Sequence, residues 1–257
     1  MHRLFVERPL RVGESLQLPE EAFRHASVLR LRVGETLRLF NGQGGEYTAE
    51  ITQFDRKNGT ARIDAFLPRE AELPYTITLA QGIAGGEKMD WLVEKAVESG
   101  VSKIVPLSTA RSVVRLDPVR AERRRLHWQA LVQAACEQCG RNRLPEIAAV
   151  RNFGAWLEEM TGASGVQGAP GASHSNANEL RLTLSPRAQK TINDLPVTAP
   201  AGEVIVLIGP EGGLSEDEEL LATQYGFTAL SVGPRILRTE TAGIAILSVL
   251  AARWGGW

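Results

Sequence analysis

Several things are scarce in this chain of 257 residues. It has two cysteines, Cys136 and Cys139, and four histidines. Two cysteines cannot build a disulfide framework, and His2, His25, His127 and His174 stand at no ligand spacing from the pair. Cys136 and Cys139 therefore read as small packing residues at the end of an amphipathic helix, and no metal is expected. No apolar run reaches the roughly 18 residues of a membrane helix. The N-terminal segment 1–6 meets Glu7 and Arg8 at once, without an apolar signal core. A cytoplasmic protein with no membrane segment is the expectation. Two nucleotide fingerprints are also missing. Gly209, Gly212 and Gly213 break the G-x-G-x-x-G spacing, and Gly85-Gly86-Glu87-Lys88-Met89 lacks both the spacing and the hydroxyl of a P-loop. That argues against a dinucleotide oxidoreductase and a P-loop NTPase.

Charge is nearly balanced overall, with a formal net value of −1, but it is unevenly placed. Residues 103–143 carry nine Lys and Arg against three acids, whereas 144–257 carry seven against twelve. A basic block in a neutral protein suits local phosphate contacts, although Arg120 to Arg125 alone also fit a solvated helix face.

With 43% hydrophobic residues, the chain can bury a core as one large or two modest domains. Residues 1–70 read as a small β-barrel of four to six strands. Alternating runs at 35–40, 46–54 and 60–67 are separated by Asn41-Gly42 and Asn58-Gly59, pairs that favour hairpin turns. A short helix fits 20–29, and Pro68 to Pro74 reads as a linker. From 74 to 257 strands alternate with helices, which predicts an α/β domain. Strands are expected at 75–81, 103–107, 146–150, 179–184, 204–208 and 228–232. Helices are expected at 88–99, from Asp117-Pro118 to Gly140, at 153–160, from Ser215 to Gly226 and at 241–253. Residues 161–178, rich in Gly, Ala, Ser and Asn, read as a flexible insertion.

Three motifs stand out. VIVLIGPEGGLSEDE (204–218) runs from a wholly apolar strand into a glycine loop and a helix start, and ligands in parallel sheets sit beyond such strand ends. SVGPRILRTETA (231–242) also follows a strand. Thr239 or Thr241 as helix cap and Glu240 in the first turn explain part of it, but Arg235 and Arg238 exceed what a cap requires. Two polar loops at strand ends suggest one site. In ACEQCGRNRLP (135–145), Arg141, Asn142 and Arg143 follow the Gly140 cap, where Arg and Asn suit phosphate and base-edge contacts.

At these motifs the sequence closely resembles the RsmE family of bacterial 16S rRNA uracil-N3 methyltransferases. The segments are LIGPEGGLS, LSVGPRILRTETA and AACEQCGRNRLPEI, supported by 81–97, 98–101, Ser185-Pro186-Arg187-Ala188 and 25–31. The resemblance covers nearly the whole chain apart from 161–178. It implies a SPOUT-class α/β domain with a C-terminal trefoil knot, preceded by a PUA-like RNA-binding barrel, in a homodimer whose active site lies near the subunit interface. By position, Leu184, Gly209, Pro210, Glu211, Gly212, Gly213, Val232, Gly233, Ile236, Leu237 and Thr239 would cradle S-adenosylmethionine. The implied substrate is one uridine in the decoding region of 16S rRNA within the small ribosomal subunit. Ser185 departs from the family, where histidine often precedes Pro-Arg.

Uracil N3 carries a proton and is a poor nucleophile until that proton leaves. A polar group must accept it and a cation should oppose the developing negative charge. N3 lies on the Watson–Crick edge, so the base must be unpaired or flipped out. Glu240 is the candidate acceptor and Arg238 the candidate charge stabiliser. Because the electrophile is a sulfonium methyl, no metal is needed. Arg3, Arg141 and Asn142, with Arg30, Arg111, Arg143 and Arg235, are the candidates for holding RNA. Alternatives are a SPOUT ribose 2′-O-methyltransferase and a catalytically silent RNA-binding protein of the same fold, although the latter would not need the tight glycine loops.

Overall fold

The computed structural model describes residues 1–163 and 179–256. The chain divides into two compact units, one of 1–72 with 133–144 and one of 73–132 with 145–257. The stretch 133–144, expected with the second domain, thus belongs to the first unit.

The first unit holds a five-stranded sheet built from β1 (His2–Phe5), β2 (Ser15–Gln17), β3 (Thr36–Phe40), β4 (Glu46–Phe54) and β5 (Gly59–Leu67), in the order β1-β3-β4-β5-β2. Alternation places Leu37, Leu39, Ala49, Ile51, Ala61 and Ile63 in one core with Leu4 and Leu16. Helix α1 (Glu20–Val28) adds Ala22 and Ala26 to it. The turns differ from their prediction. At 41–45 the positive φ falls on Gly42, Gly44 and Gly45, not on Asn41. Before β5, the Asp55 carboxylate accepts the N–H groups of Lys57 and Asn58 at 2.7 and 2.9 Å. That Asx turn needs no left-handed residue, so the Asn58-Gly59 pair is not the turn itself.

The second unit is built on an all-parallel sheet. Its strands are β6 (Ile77–Gly82), β7 (Lys103–Ser108), β8 (Glu146–Ile147), β9 (Arg151–Asn152), β10 (Leu180–Leu184), β11 (Lys190–Thr191), β12 (Val204–Ile208) and β13 (Thr228–Ser231). The order is β11-β13-β10-β12-β6-β7-β8, with β9 also on β7. All residues of β6 and β12 are buried, as strands covered on both faces require. Ala80, Ile205 and Leu207 pack with Phe153, Trp156 and Leu157 of α4 (Phe153–Ala163) and Ala222 of α5 (Glu216–Gln224). On the opposite face, Gly243 of α6 (Thr239–Trp254) lies against Leu79, Ile208 and Leu92 of α2 (Lys88–Glu98). Helix α2 buries Met89, Leu92, Val93, Ala96 and Val97, the stripe its spacing predicts.

Helix α3 (Pro118–Cys139) opens as its sequence suggests, with the Asp117 carboxylate accepting the Arg120 N–H at 2.9 Å. Helix α5 starts from a full capping box between Ser215 and Glu218. The expected strand 146–150 shrinks to β8 and the separate β9. Helix α4 runs to residue 163, into the expected insertion, and the rest of that segment, 164–178, lies outside the described residues. Among the described residues, no helix is long and apolar enough to cross a membrane.

Candidate active site

Strands β12, β10 and β13 are neighbours and parallel, so the segments leaving them emerge at the same edge of the sheet. After β9 the chain crosses to the side of β6 away from β7, where β10, β12 and β13 lie together, and a crevice opens beyond the carboxyl ends of these three strands. A cavity of about 530 Å³ occupies it, within the size range of small-molecule sites. Leu184 and Ser185 line it from β10, residues 208–213 from β12, and residues 230–240 with the exception of Pro234 from β13. All eleven residues expected to cradle the cofactor border this one space, together with Arg235, Arg238 and Glu240.

The loops are tied together from beneath. Thr239 Oγ1 donates to the Gly209 carbonyl at 2.6 Å, and Gln81 Nε2 donates to Thr239 Oγ1 at 2.8 Å. Gln81 is fully buried and also donates to the Gly82 carbonyl at 2.9 Å. Thr239 is therefore not the cap of α6: the capping position is Arg238, whose side chain makes no capping bond. The hydroxyl expected at a helix end instead joins two loops. Space here is tight enough to demand glycine. A side-chain carbon at Gly209 would fall 2.7 Å from the Gly213 carbonyl carbon, and one at Gly82 would fall 2.5 Å from the Pro210 nitrogen.

Glu211 fixes the outer rim. Its Oε1 accepts Lys88 Nζ at 2.8 Å and the Gly85 N–H at 2.9 Å. Burial pushes this carboxyl up, but the Lys88 ammonium and the surrounding N–H groups outweigh it, so its pKa is lowered. Arg111 supports the same loop from outside, donating to the carbonyls of Gly212 and Leu214, each at 3.1 Å. Its guanidinium, expected on RNA, is thus engaged by the glycine loop. Ser185 Oγ accepts the Arg187 N–H at 3.3 Å, a local turn bond. Glu240 differs from these residues: its Oε2 is buried and has no hydrogen-bond partner. Buried carboxylate oxygens are rarely left so.

Three residues expected on RNA have another task. Asn142 is fully buried and Arg141 is 4% exposed. Arg141 pairs with Glu72 at 2.5 Å, and Asn142 Nδ2 donates to the Arg69 carbonyl at 2.6 Å. Arg3 donates to Asn142 Oδ1 at 2.7 Å and to the Arg141 carbonyl at 3.0 Å, pairs with Glu46, and lies 4.8 Å over the Phe40 ring. These groups pin 140–144 to the first unit's sheet, and a buried, bonded guanidinium is not presented to a phosphate. Arg30, Arg143 and Arg235 are exposed. Cys136 is buried, which pushes its thiol up to about 12 and suits a packing role.

A family described as an RNA methyltransferase domain matches residues 71–251, and one described as an RNA methyltransferase PUA domain matches 18–64. A ribosomal RNA small subunit methyltransferase E of Buchnera aphidicola (subspecies Schizaphis graminum) is 31% identical over 255 residues, covering 98% of this chain and 96% of its own. The chain belongs to the ribosomal RNA small subunit methyltransferase E family. A member from Neisseria gonorrhoeae, solved bound to S-adenosylmethionine, is 33% identical with a TM-score of 0.87, covering 99% of this chain and 98% of its own. A methyltransferase of Legionella pneumophila, solved with the same cofactor, is 39% identical with a TM-score of 0.85, covering 97% and 96%. The fold is that of this methyltransferase E family, a PUA-like domain followed by a SPOUT-type methyltransferase domain.

Sequence reasoning missed Gln81, Lys88 and Gly82 as parts of the site. The available signal was a glutamine and a glycine closing a largely apolar strand, ITLAQG, at its carboxyl end.

Proposed function

We propose that this protein uses S-adenosylmethionine to methylate N3 of one uridine in the decoding region of 16S rRNA, acting on the small ribosomal subunit. It does so as a cytoplasmic homodimer, with residues 1–70 as the RNA-binding domain and 74–257, apart from the stretch 133–144, as the catalytic one. The observation that carries this reading is the single cavity bordered by loops from three adjacent strand ends and tied by Thr239 to Gly209. The cavity suits the cofactor. Leu184, Ile208, Leu230, Val232 and Leu237 offer apolar walls for an adenine ring, and the close-packed glycines leave backbone groups at its surface.

The bound cofactor supplies a methyl group on a sulfonium: a bond forms between that carbon and uracil N3, and the carbon–sulfur bond breaks with its electrons kept by sulfur. The N3 proton goes to Glu240, whose Oε2 has no partner to displace. Arg238, beside it at the cavity rim, opposes the negative charge that spreads to the uracil oxygens, and the unbonded N–H groups in the first turn of α6 act in the same sense. The Gln81–Thr239–Gly209 chain holds the two loops in register so that donor and acceptor meet without rearrangement.

The test is transfer of a labelled methyl group to isolated small subunits and to naked 16S rRNA, followed by mass spectrometry of the digested RNA. One methyl on one uracil base is expected. No incorporation into either substrate, or a methyl on ribose, would overturn the proposal.

A further inference from the structure

A second hollow of about 430 Å³ adjoins the cofactor cavity, lined by Glu87, Lys88, Trp91, Arg238, Glu240 and Thr241. Lys88, Arg238 and Glu240 border both spaces. Trp91 stands off the core stripe of α2 and is 44% exposed. A solvated helix face has no use for the largest apolar side chain, and an aromatic ring half in water beside a charged cleft offers a flat surface for another ring. The polar groups of the hollow are unequally engaged. Lys88 is held by Glu211 at 2.8 Å, and the neighbouring Asp90 is taken by His127 and Trp128 at 2.8 and 2.9 Å. Glu240 Oε2 has no partner.

We propose that Trp91 is the stacking platform for the flipped target base, holding a uracil with its Watson–Crick edge toward Glu240 and Arg238. This rests on the methyltransferase reading and adds to it the place of the acceptor base. It also accounts for base choice. Uracil offers a carbonyl, an N3–H donor and a second carbonyl, which match a cation, a carboxylate and a further donor. Cytosine turns a bare N3 acceptor toward the same carboxylate and is repelled. Trp91 positions the base and takes no proton.

The experiment compares Trp91→Ala and Trp91→Phe with the parent protein in the full chain, measuring kcat/KM on small subunits, cofactor affinity by titration, and particle mass by light scattering. Trp91→Ala should lower kcat/KM roughly 5- to 150-fold, the equivalent of one base stacked on an aromatic ring. Cofactor affinity and mass should stay unchanged, and Trp91→Phe should recover most of the loss. In addition, RNA carrying 5-iodouridine at the target position should photo-crosslink to the tryptic peptide 89–95. Undiminished kcat/KM for Trp91→Ala would overturn the inference. So would a loss that tracks a fall in particle mass, which would assign Trp91 to a contact between copies, or a crosslink to another peptide. Absence of methyl transfer by the parent protein would overturn the methyltransferase reading itself, and this inference with it.

Discussion

The loops 140–144 and 233–240 resemble each other in composition, and they use their charges in opposite ways. In the first, Arg141 is paired with Glu72, and Asn142 bonds with Arg3 and the Arg69 carbonyl. The side chains of Arg141 and Asn142 are consumed in holding the loop to its own unit, while one buried nitrogen of Arg3, Nε, has no partner. In the second, Arg235 and Arg238 are exposed, Ile236 is 85% exposed at the cavity mouth, and Glu240 keeps a buried oxygen without a partner. Only one polar side chain there, Thr239, is spent on structure. Residue type alone does not separate a binding loop from a structural one. What separates them is whether the polar groups are already satisfied.

This contrast can be broken at either loop. The largest effect on stability is expected in the first. Arg141→Met should cost on the order of 3 kcal/mol by leaving Glu72 without its buried partner, read as a lowered midpoint in urea, with cofactor affinity unchanged. A large loss of RNA affinity in a still stable protein would instead restore Arg141 as an RNA ligand. In the second loop the effects should fall on the site. Gly209→Ala forces a side-chain carbon to 2.7 Å from the Gly213 carbonyl carbon, and the displaced loop should lower methyl transfer by roughly 100-fold while the fold survives. Thr239→Val removes the tie between the loops and should cost about 1–3 kcal/mol, shared between thermal stability and cofactor affinity, both measurable by calorimetry.

Legibility in the sequence followed the range of the forces involved. The apolar strand 204–208, the α2 stripe and the Ser215 cap rest on local periodicity and capping chemistry, and the structure agrees with each within a residue or two. Turns were less legible, because Asp55 closes its turn from outside the Asn-Gly pair. The pairing of β1 with β3, and the insertion of β12 between β10 and β6, depend on contacts distant in sequence and left no local mark. A knot is less legible still, since chains that thread themselves are rare, and it came with the resemblance alone. At the site, the two loops could be placed at strand ends. The Gln81–Thr239–Gly209 chain could not, because it joins residues 158 and 30 positions apart. The burial of Arg141 and Asn142 was hidden for the same reason: their partners lie in the segment 3–72.

Glu240, whose Oε2 is left without a partner at the rim of the cofactor cavity, is the group proposed to receive the proton. The most direct measurement is the single-turnover rate of methyl transfer by Glu240→Gln on small subunits, with cofactor affinity determined on the same preparation. A fall of roughly 100- to 10,000-fold in rate with cofactor affinity retained is the predicted result. A variant that methylates at the parent rate would contradict the account.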